Sequence, residues 1–357
     1  MVKILHSADW HMDAPLRQFS PEQRRLLQEQ MLLLPGRIAK LCIREGCDLV
    51  LLAGDLFDGP YSRAGYEAVF RALEQMKVPV FVAPGNHDYY GGSGPWMAEA
   101  WPENVHIFKS QTITSVPVPE LGCRVYGAAF TGISCPGLLE GFQADCDENY
   151  AVMALHGDAC NVDSPYCPVT SGQVAEAGLD YLALGHIHQT GSFQAGAGLC
   201  AWPSCPMGHG WDETGTRGVL IAELSDQARI RFVPVGGIRF HDFSVKVGEN
   251  PLQSVLSVLP GGGSEDFYRL HLTGEADPEE IEPLLGGIGG YPNLILRDET
   301  VLPADLWESA GDDSLEGLFF RTLLEQTRGQ EEETVQELQL AARISRQLLL
   351  GMEVELP

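Results

Sequence analysis

The chain is poor in positive charge. Its 357 residues hold 23 lysines and arginines against 49 aspartates and glutamates, a formal net charge of −26. Coating a nucleic-acid backbone requires Lys and Arg to displace counterions, so that class is excluded. A role on nucleic acid would need bound metal ions, a local basic patch or a partner subunit to neutralise phosphate. The deficit is uneven: residues 264–357 hold 21 acidic and 6 basic side chains, and residues 1–263 hold 28 and 17. No apolar run reaches the ~18 residues of a membrane-spanning helix, so no membrane partner is expected. Residues 1–6 offer too few apolar side chains before Asp9 for a secretory h-region, and the expected compartment is the cytoplasm. CxxC is absent. The cysteines number nine and stand in widely spaced pairs such as Cys42/Cys47 and Cys160/Cys167, which speaks against a zinc knuckle, a thioredoxin-type motif or a disulfide framework. Reduced, mostly buried thiols are expected. There is no internal repeat.

What is present is ordinary for a folded protein: 44% hydrophobic and 20% charged residues, with a length that suggests two or three domains. Residues 1–240 alternate strand-like and helix-like segments, the pattern of a layered α/β domain. Ser20-Pro21-Glu22-Gln23 reads as a capping box with proline at the first helical position. That helix runs towards Glu45 and stops at Gly46; Pro35-Gly36 is expected to kink or split it. Residues 48–53, 78–83, 151–155 and 181–184 read as strands, 63–76 and 171–177 as helices, and 218–224 with 230–235 as a closing hairpin. A small α+β module follows to about residue 310, with strands at 241–247, 267–272 and 294–297 and helices at 252–259 and 278–285. Residues 314–350 read as two helices broken near Gly329, with Leu315, Leu318, Phe319, Leu323 and Val335, Leu338, Ala342 at helical spacing. The expected domains are therefore 1–240, 241–310 and a helical tail, 311–357.

One regularity carries chemistry. Successive strands of the first domain run into Asp9-Trp10-His11, Gly54-Asp55, Gly85-Asn86-His87-Asp88, His156-Gly157 and Gly185-His186-Ile187-His188. Sites in open α/β sheets form at the carboxyl ends of strands, which lie side by side although distant in sequence. Asp, His and Asn gathered there are the mixed oxygen and nitrogen donors that divalent ions take, and a pair of such ions suits in-line phosphoryl displacement. Singly each motif is weak, since a lone Asp-x-His or Gly-Asp is commonly surface or turn. Together at successive strand ends they are not. Gly54, Gly85 and Gly185 would let the backbone turn sharply. Other residues stay open: His6 as core or as support for the site, His209 as a substrate contact or a solvated loop residue, Tyr89 and Tyr90 as base-stacking or loop-anchoring aromatics. His106, His241 and His271 read as structural, and Glu331-Glu332-Glu333 as a helix start favoured by the dipole.

The order D-x-H, GD, GNHD, H, GHxH resembles the calcineurin-like metallophosphoesterases. Ala8–His11, Gly54-Asp55-Leu56-Phe57-Asp58 and Gly85–Asp88 look like the SbcD-type DNA repair exonucleases. The runs from Leu155 to Asp158, Pro165 to Pro168 and Asp180 to His188 are similar to their YhaO-like branch. The likeness is dense over residues 1–240 and thin afterwards. It implies a layered β-sandwich flanked by helices, with a small α+β cap domain and a helical C-terminal tail. It also implies two divalent metal ions, manganese first, with iron or zinc as alternatives. Asp9, His11, Asp55 and His188 would hold one ion and Asp55, Asn86, His156 and His186 the other, with Asp55 bridging. His87 would be the catalytic acid and Asp88 the residue that orients it. The implied activity is hydrolysis of DNA phosphodiester bonds as an exonuclease or endonuclease subunit. Its implied partners are DNA and an SMC-like ATPase subunit docked on the C-terminal helices, and a homodimer is a further expectation. A phosphodiesterase or phosphatase for nucleotides or phosphoproteins, and a non-catalytic metal-binding scaffold, remain the alternatives.

Overall fold

The computed structural model describes residues 1–349 apart from 146, 249, 277 and 302–306. Cys146, the expected end of the last helix at Leu350 and residues 351–357 therefore lie outside the described residues. The elements run β1 (Val2–Ser7), α1 (Pro21–Glu45), β2 (Leu49–Leu52), α2 (Arg63–Met76), β3 (Val80–Val82), α3 (Pro95–Ala98), β4 (Val105–Ile107), β5 (Thr114–Val118) and β6 (Cys123–Gly127). Then come β7 (Tyr150–His156), α4 (Ser171–Glu176), β8 (Tyr181–Gly185), β9 (Gly191–Ala195), β10 (Gly198–Trp202), β11 (Gly218–Leu224) and β12 (Arg229–Pro234). The remainder is β13 (Phe240–Lys246), α5 (Pro251–Val258), β14 (Phe267–Thr273), α6 (Pro278–Leu285), β15 (Leu294–Asp298), α7 (Leu315–Thr327) and α8 (Glu332–Leu349). Among the described residues no helix is long and apolar enough to cross a membrane.

Two six-stranded sheets form the first unit, in the orders β12-β11-β1-β2-β3-β4 and β5-β6-β7-β8-β10-β9. Strands β1 to β4 are parallel, as are β6, β7, β8 and β10, and antiparallel partners close the edges. Because side chains alternate across a strand, Ile4, Leu49 and Phe81 of one sheet meet Val152, Tyr181 and Ala201 of the other in one buried cluster. Their neighbours Leu5, Val50 and Val82 turn outward beneath α1 and α2. Met153, Leu155 and Leu182 do the same on the opposite side, under Val174 of α4. The result is a β-sandwich with helices on both outer faces. Strands β2, β3, β7 and β8 are buried on both faces, which is why they read as apolar runs.

Helix α1 departs from expectation. It begins at the Ser20–Gln23 capping box and ends at Gly46 with φ 64°, but it continues through Pro35. A proline inside a helix costs ~3 kcal/mol. Here Leu34, Pro35 and Ile38 are all buried, with Leu34 and Ile38 in the cluster above the first sheet, and burial of large apolar side chains returns ~1.5–3 kcal/mol each. Strands β4, β5, β6, β9 and β10 carry no sequence-based expectation; β4, β5 and β9 are sheet edges, while β6 and β10 lie inside the second sheet. The eight described cysteines are free, seven of them buried.

The chain divides into Met1–Asp242 with Glu265–Tyr268, and a second unit from Phe243 to Ser264 and from Arg269 onward. The second unit contains most of the three-stranded sheet β13-β14-β15 with α5 and α6. It also contains α7 and α8, which enclose Phe320 and Ala342.

His6 belongs to the sandwich interior. Its Nε2 donates to the Leu184 carbonyl at 2.9 Å, so its Nδ1 accepts from the Tyr181 hydroxyl at 2.7 Å, joining β1 to β8 across the two sheets. Burial lowers its pKa to about 3 and keeps it neutral. Tyr181→Phe leaves that buried nitrogen without a donor and is expected to cost ~1–3 kcal/mol in chemical denaturation, with metal content unchanged.

Candidate metal centre

The loops after β1, β2 and β3 are laced together. Asp9, His11 and Asp55 sit at φ 55°, 45° and 52°, and His186 at 84°, a left-handed region costing ~1–2 kcal/mol per non-glycine residue. Such strain persists only where neighbours over-determine it. Here Asp9 N–H donates to the Gly54 carbonyl at 3.0 Å, His11 N–H to the Asp55 carbonyl at 3.0 Å and Met12 N–H to the Leu56 carbonyl at 2.9 Å. The Asp88 carboxylate accepts from the N–H groups of Gly85, Asp55 and Leu56 at 2.8, 3.1 and 2.8 Å. Only Gly54, of the three glycines expected to turn the chain, has a positive φ, at 89°. Gly85 and Gly185 serve close approach instead: a Cβ on the first would strike the Asp55 carboxylate, and on the second the Ala53 carbonyl.

Side chains from both sheets converge above these loops. Atoms of Asp9, His11 and His188 lie within 4.8 Å of one another, as do those of Asp9, Asp55 and His156. Asp9 is common to both groups; Asp55, expected as the bridge, belongs to the second and also accepts His87 N–H on Oδ1 at 2.9 Å. Asn86 places Oδ1 2.9 Å from His156 Nε2. His186 contributes its N–H to the Asp9 carboxylate at 3.0 and 3.1 Å. Its ring lies 5.2 Å from that of His156 and 4.7 Å from Tyr166, outside the tight groups.

The donor set fits divalent cations on lone-pair grounds. His156 Nδ1 donates to the Ala53 carbonyl at 2.9 Å. Its Nε2 therefore faces two acceptors, Asn86 Oδ1 at 2.9 Å and Asp55 Oδ2 at 3.2 Å, and something positive must lie between them. Against the effect of burial, the Asp55 charge raises His156 to about 9, so the position draws positive charge. His188 gives its Nδ1 to Glu213 at 2.5 Å, which turns its Nε2 towards His11 Nε2 at 3.2 Å. Burial drops His11 to about 3, so its ring is neutral. Burial also pushes Asp9 up to about 6. At Asp55 burial acts in the same sense, but the charges of His156 and His11 overcome it and hold the group below the carboxylate range. Mixed imidazole, carboxylate and amide donors of this kind suit Mn²⁺, Fe²⁺ or Zn²⁺.

His87 stands beside this cluster with its ring 4.9 Å from that of His11. Its Nδ1 lies 2.6 Å from Asp58 Oδ1, and this contact raises His87 and lowers Asp58. Asp88 does not orient His87 as expected. Buried at the base of the loop, it has its oxygens occupied by backbone N–H groups, and the carboxylate against the ring is Asp58. With Nδ1–H held, Nε2–H is the proton His87 can give.

The sequence model described as calcineurin-like phosphoesterase matches residues 2–190. The chain belongs to that family. It is 26% identical over 335 residues to the uncharacterized metallophosphoesterase YhaO of Bacillus subtilis (strain 168), covering 88% of this chain and 82% of YhaO. A dimetal phosphatase from Danio rerio is similar in structure at 14% identity and a TM-score of 0.44, over 66% of this chain and 96% of that one. TT1561 of Thermus thermophilus matches at 14% identity and a TM-score of 0.39, over 65% and 98% of the two chains.

Around the donors of this calcineurin-like phosphoesterase lies a layer that sequence reasoning missed. Asp58 had a signal, being the last residue of the Gly54–Asp58 run. Glu213 opens the run Glu213–Gly218, which is also similar to the YhaO-like branch, but that likeness assigns it no role, 25 residues beyond the histidine it holds. His209 is neither solvated nor a free substrate contact. Its N–H and Nδ1 meet Glu213 Oε2 at 2.6 and 3.1 Å, and its Nε2 lies 3.2 Å from the Trp10 carbonyl. Burial would raise Glu213, but the bonds from His188 and His209 hold it far below the usual carboxylate range. Carboxylates that orient a ligating histidine are worth about 10–100-fold in metal affinity. Glu213→Gln is expected to weaken metal binding by about that factor in competition with a fluorescent chelator, and Glu213→Asp by less.

Proposed function

We propose that the protein cleaves phosphodiester bonds, with His87 as the acid that protonates the leaving oxygen. The observation that carries this reading is the His87–Asp58 pair set beside two convergent donor clusters. Two divalent cations, manganese as the first choice, would polarise the phosphoryl group and lower the pKa of water when bound. The residues' own work is separate. Asp9, His11, Asp55, Asn86, His156, His186 and His188 supply donors, Asp88 fixes the loop that carries them, and Asp58 raises the pKa of His87 and so favours its acid form. A scaffold without activity would have no need of that last pair.

DNA ends are the substrate favoured by the likeness of the motifs to SbcD-type repair nucleases. The net charge of −26 favours a second reading, small nucleotide diesters, because a long strand would meet few lysines and arginines. An assay of single- and double-stranded DNA beside bis(p-nitrophenyl) phosphate, with Mn²⁺, separates the two.

A positioned acid contributes about 10²–10⁴-fold in rate. His87→Gln is expected to keep near-normal metal content by elemental analysis while cleavage falls by about two orders of magnitude or more. Loss of metal in proportion to activity would make His87 a ligand. Asp58→Asn removes the charge that raises His87, so the acid form is lost at lower pH and the alkaline limb of the rate profile moves down.

The partner reading rests on the tail. Leu315, Leu318, Phe319, Leu348 and Leu349 are 85%, 57%, 43%, 64% and 59% exposed and line a groove of about 830 Å³ between α7 and α8. Exposed apolar surface of this kind marks an interaction site, which suits an ATPase subunit or a second copy of the chain. Deletion after Gly311 is expected to abolish association in sedimentation analysis and leave small-diester hydrolysis largely intact. Unchanged association would remove the reading.

A further inference from the structure

A second cavity, of about 420 Å³, opens beside His87. Its walls are Pro60 and Tyr61 from the loop after β2, and His87, Tyr89, Ser93 and Pro95 from the loop after β3, with glycines between them. The volume falls within the ~300–1,000 Å³ of small-ligand sites. The two tyrosines that follow the GNHD turn have separate fates. Tyr90 donates its N–H to the Phe130 carbonyl at 2.8 Å and packs into the core, anchoring the loop. Tyr89 is 37% exposed and faces the cavity, its ring resting on Gly91. Across from it, Tyr61 spends its hydroxyl on Glu99 at 3.0 Å, so what it offers the cavity is its ring.

Charge restricts what such a cavity takes. Among the described residues lining it there is no lysine or arginine. Asp58 stands behind His87, and Asp88 lies in the wall. A phosphate entering here would meet no lysine or arginine, and the one basic group in the wall, His87, is already paired with Asp58. An uncharged ring would meet aromatic faces, proline and backbone, the elements of a stacking platform.

We propose that this cavity is the subsite for the alcohol on the His87 side of the scissile phosphate. It takes one uncharged, ring-bearing group, of the nucleoside or aromatic-alcohol class, stacked on Tyr89. The inference rests on the phosphodiesterase reading and adds to it that the substrate carries a single such residue on this side, as a small diester or a terminal nucleoside does.

The test uses the metal-loaded full chain and free thymidine, adenosine and benzyl alcohol, none of which carries a phosphate to reach the metals. Binding is followed by ligand-observed NMR. Tyr89→Ala is expected to weaken nucleoside binding about 5- to 150-fold, and Tyr89→Phe to retain it. Ser93→Trp, which fills the cavity from its exposed rim, is expected to abolish it with an unchanged unfolding temperature. Tighter binding of the nucleosides than of benzyl alcohol assigns the subsite to nucleosides; equal binding assigns it to aromatic alcohols generally. Nucleoside binding unaffected by Tyr89→Ala and by Ser93→Trp, or no binding of any probe, overturns the proposal. Hydrolysis of bis(p-nitrophenyl) phosphate is measured on the same samples. Hydrolysis without ring binding sinks the subsite alone; ring binding without hydrolysis sinks the phosphodiesterase reading and with it the assignment of the cavity to a leaving alcohol, leaving a ring-binding site.

Discussion

Two carboxylates, Asp9 and Asp55, are buried with His156 so that their donor atoms lie within 4.8 Å of one another. Two like charges in a low-dielectric interior repel strongly, and the facing ring nitrogens of His11 and His188 crowd the same space. The histidines offset this gathering only in part, and the surrounding structure holds it together. The left-handed backbone at Asp9, His11, Asp55 and His186 follows from that demand, as do the lacing of three loops and the glycines that permit their close approach. The sandwich behind them is the rigid support. Strands β1, β2, β3, β7 and β8 end at the site, and their positions are set by clusters far from it.

Environment, rather than residue type, divides the work among the acids. Asp55 faces histidines and stays charged. Asp88, equally buried, is raised to about 6 by burial and by the Asp55 charge, and it acts through backbone N–H groups. Asp58, half-buried beside His87, is a proton partner. Glu213 sits behind His188 and His209 and aims one of them. Four carboxylates within one region thus serve as donor, loop clamp, acid partner and histidine support.

Two cavities of the chain differ in character. The cavity at Tyr89 is aromatic and holds no lysine or arginine among its described lining residues, whereas the groove between α7 and α8 is almost wholly apolar. The first suits a small uncharged group next to the chemistry. The second suits another macromolecule, and its apolar rim stands out in the part of the chain richest in acidic residues.

The strands and their polar ends were legible in sequence because local rules write them: an apolar run buried on both faces, then glycine, then a donor. The same locality made the Ser20–Gln23 cap, Gly46 and the helices of the tail readable, and it placed Asp9, His11, Asp55, Asn86, His156, His186 and His188 as a set. What only the tertiary structure decided was how non-local partners meet. The division of the donors between two sheets came from packing, as did the passage of α1 through Pro35. So did the replacement of Asp88 by Asp58 beside His87, and the reach of Glu213 to His188. Each depends on side chains brought together by sheet pairing and burial. No spacing along the chain encodes such a contact, because its energy exists only once the sandwich has closed.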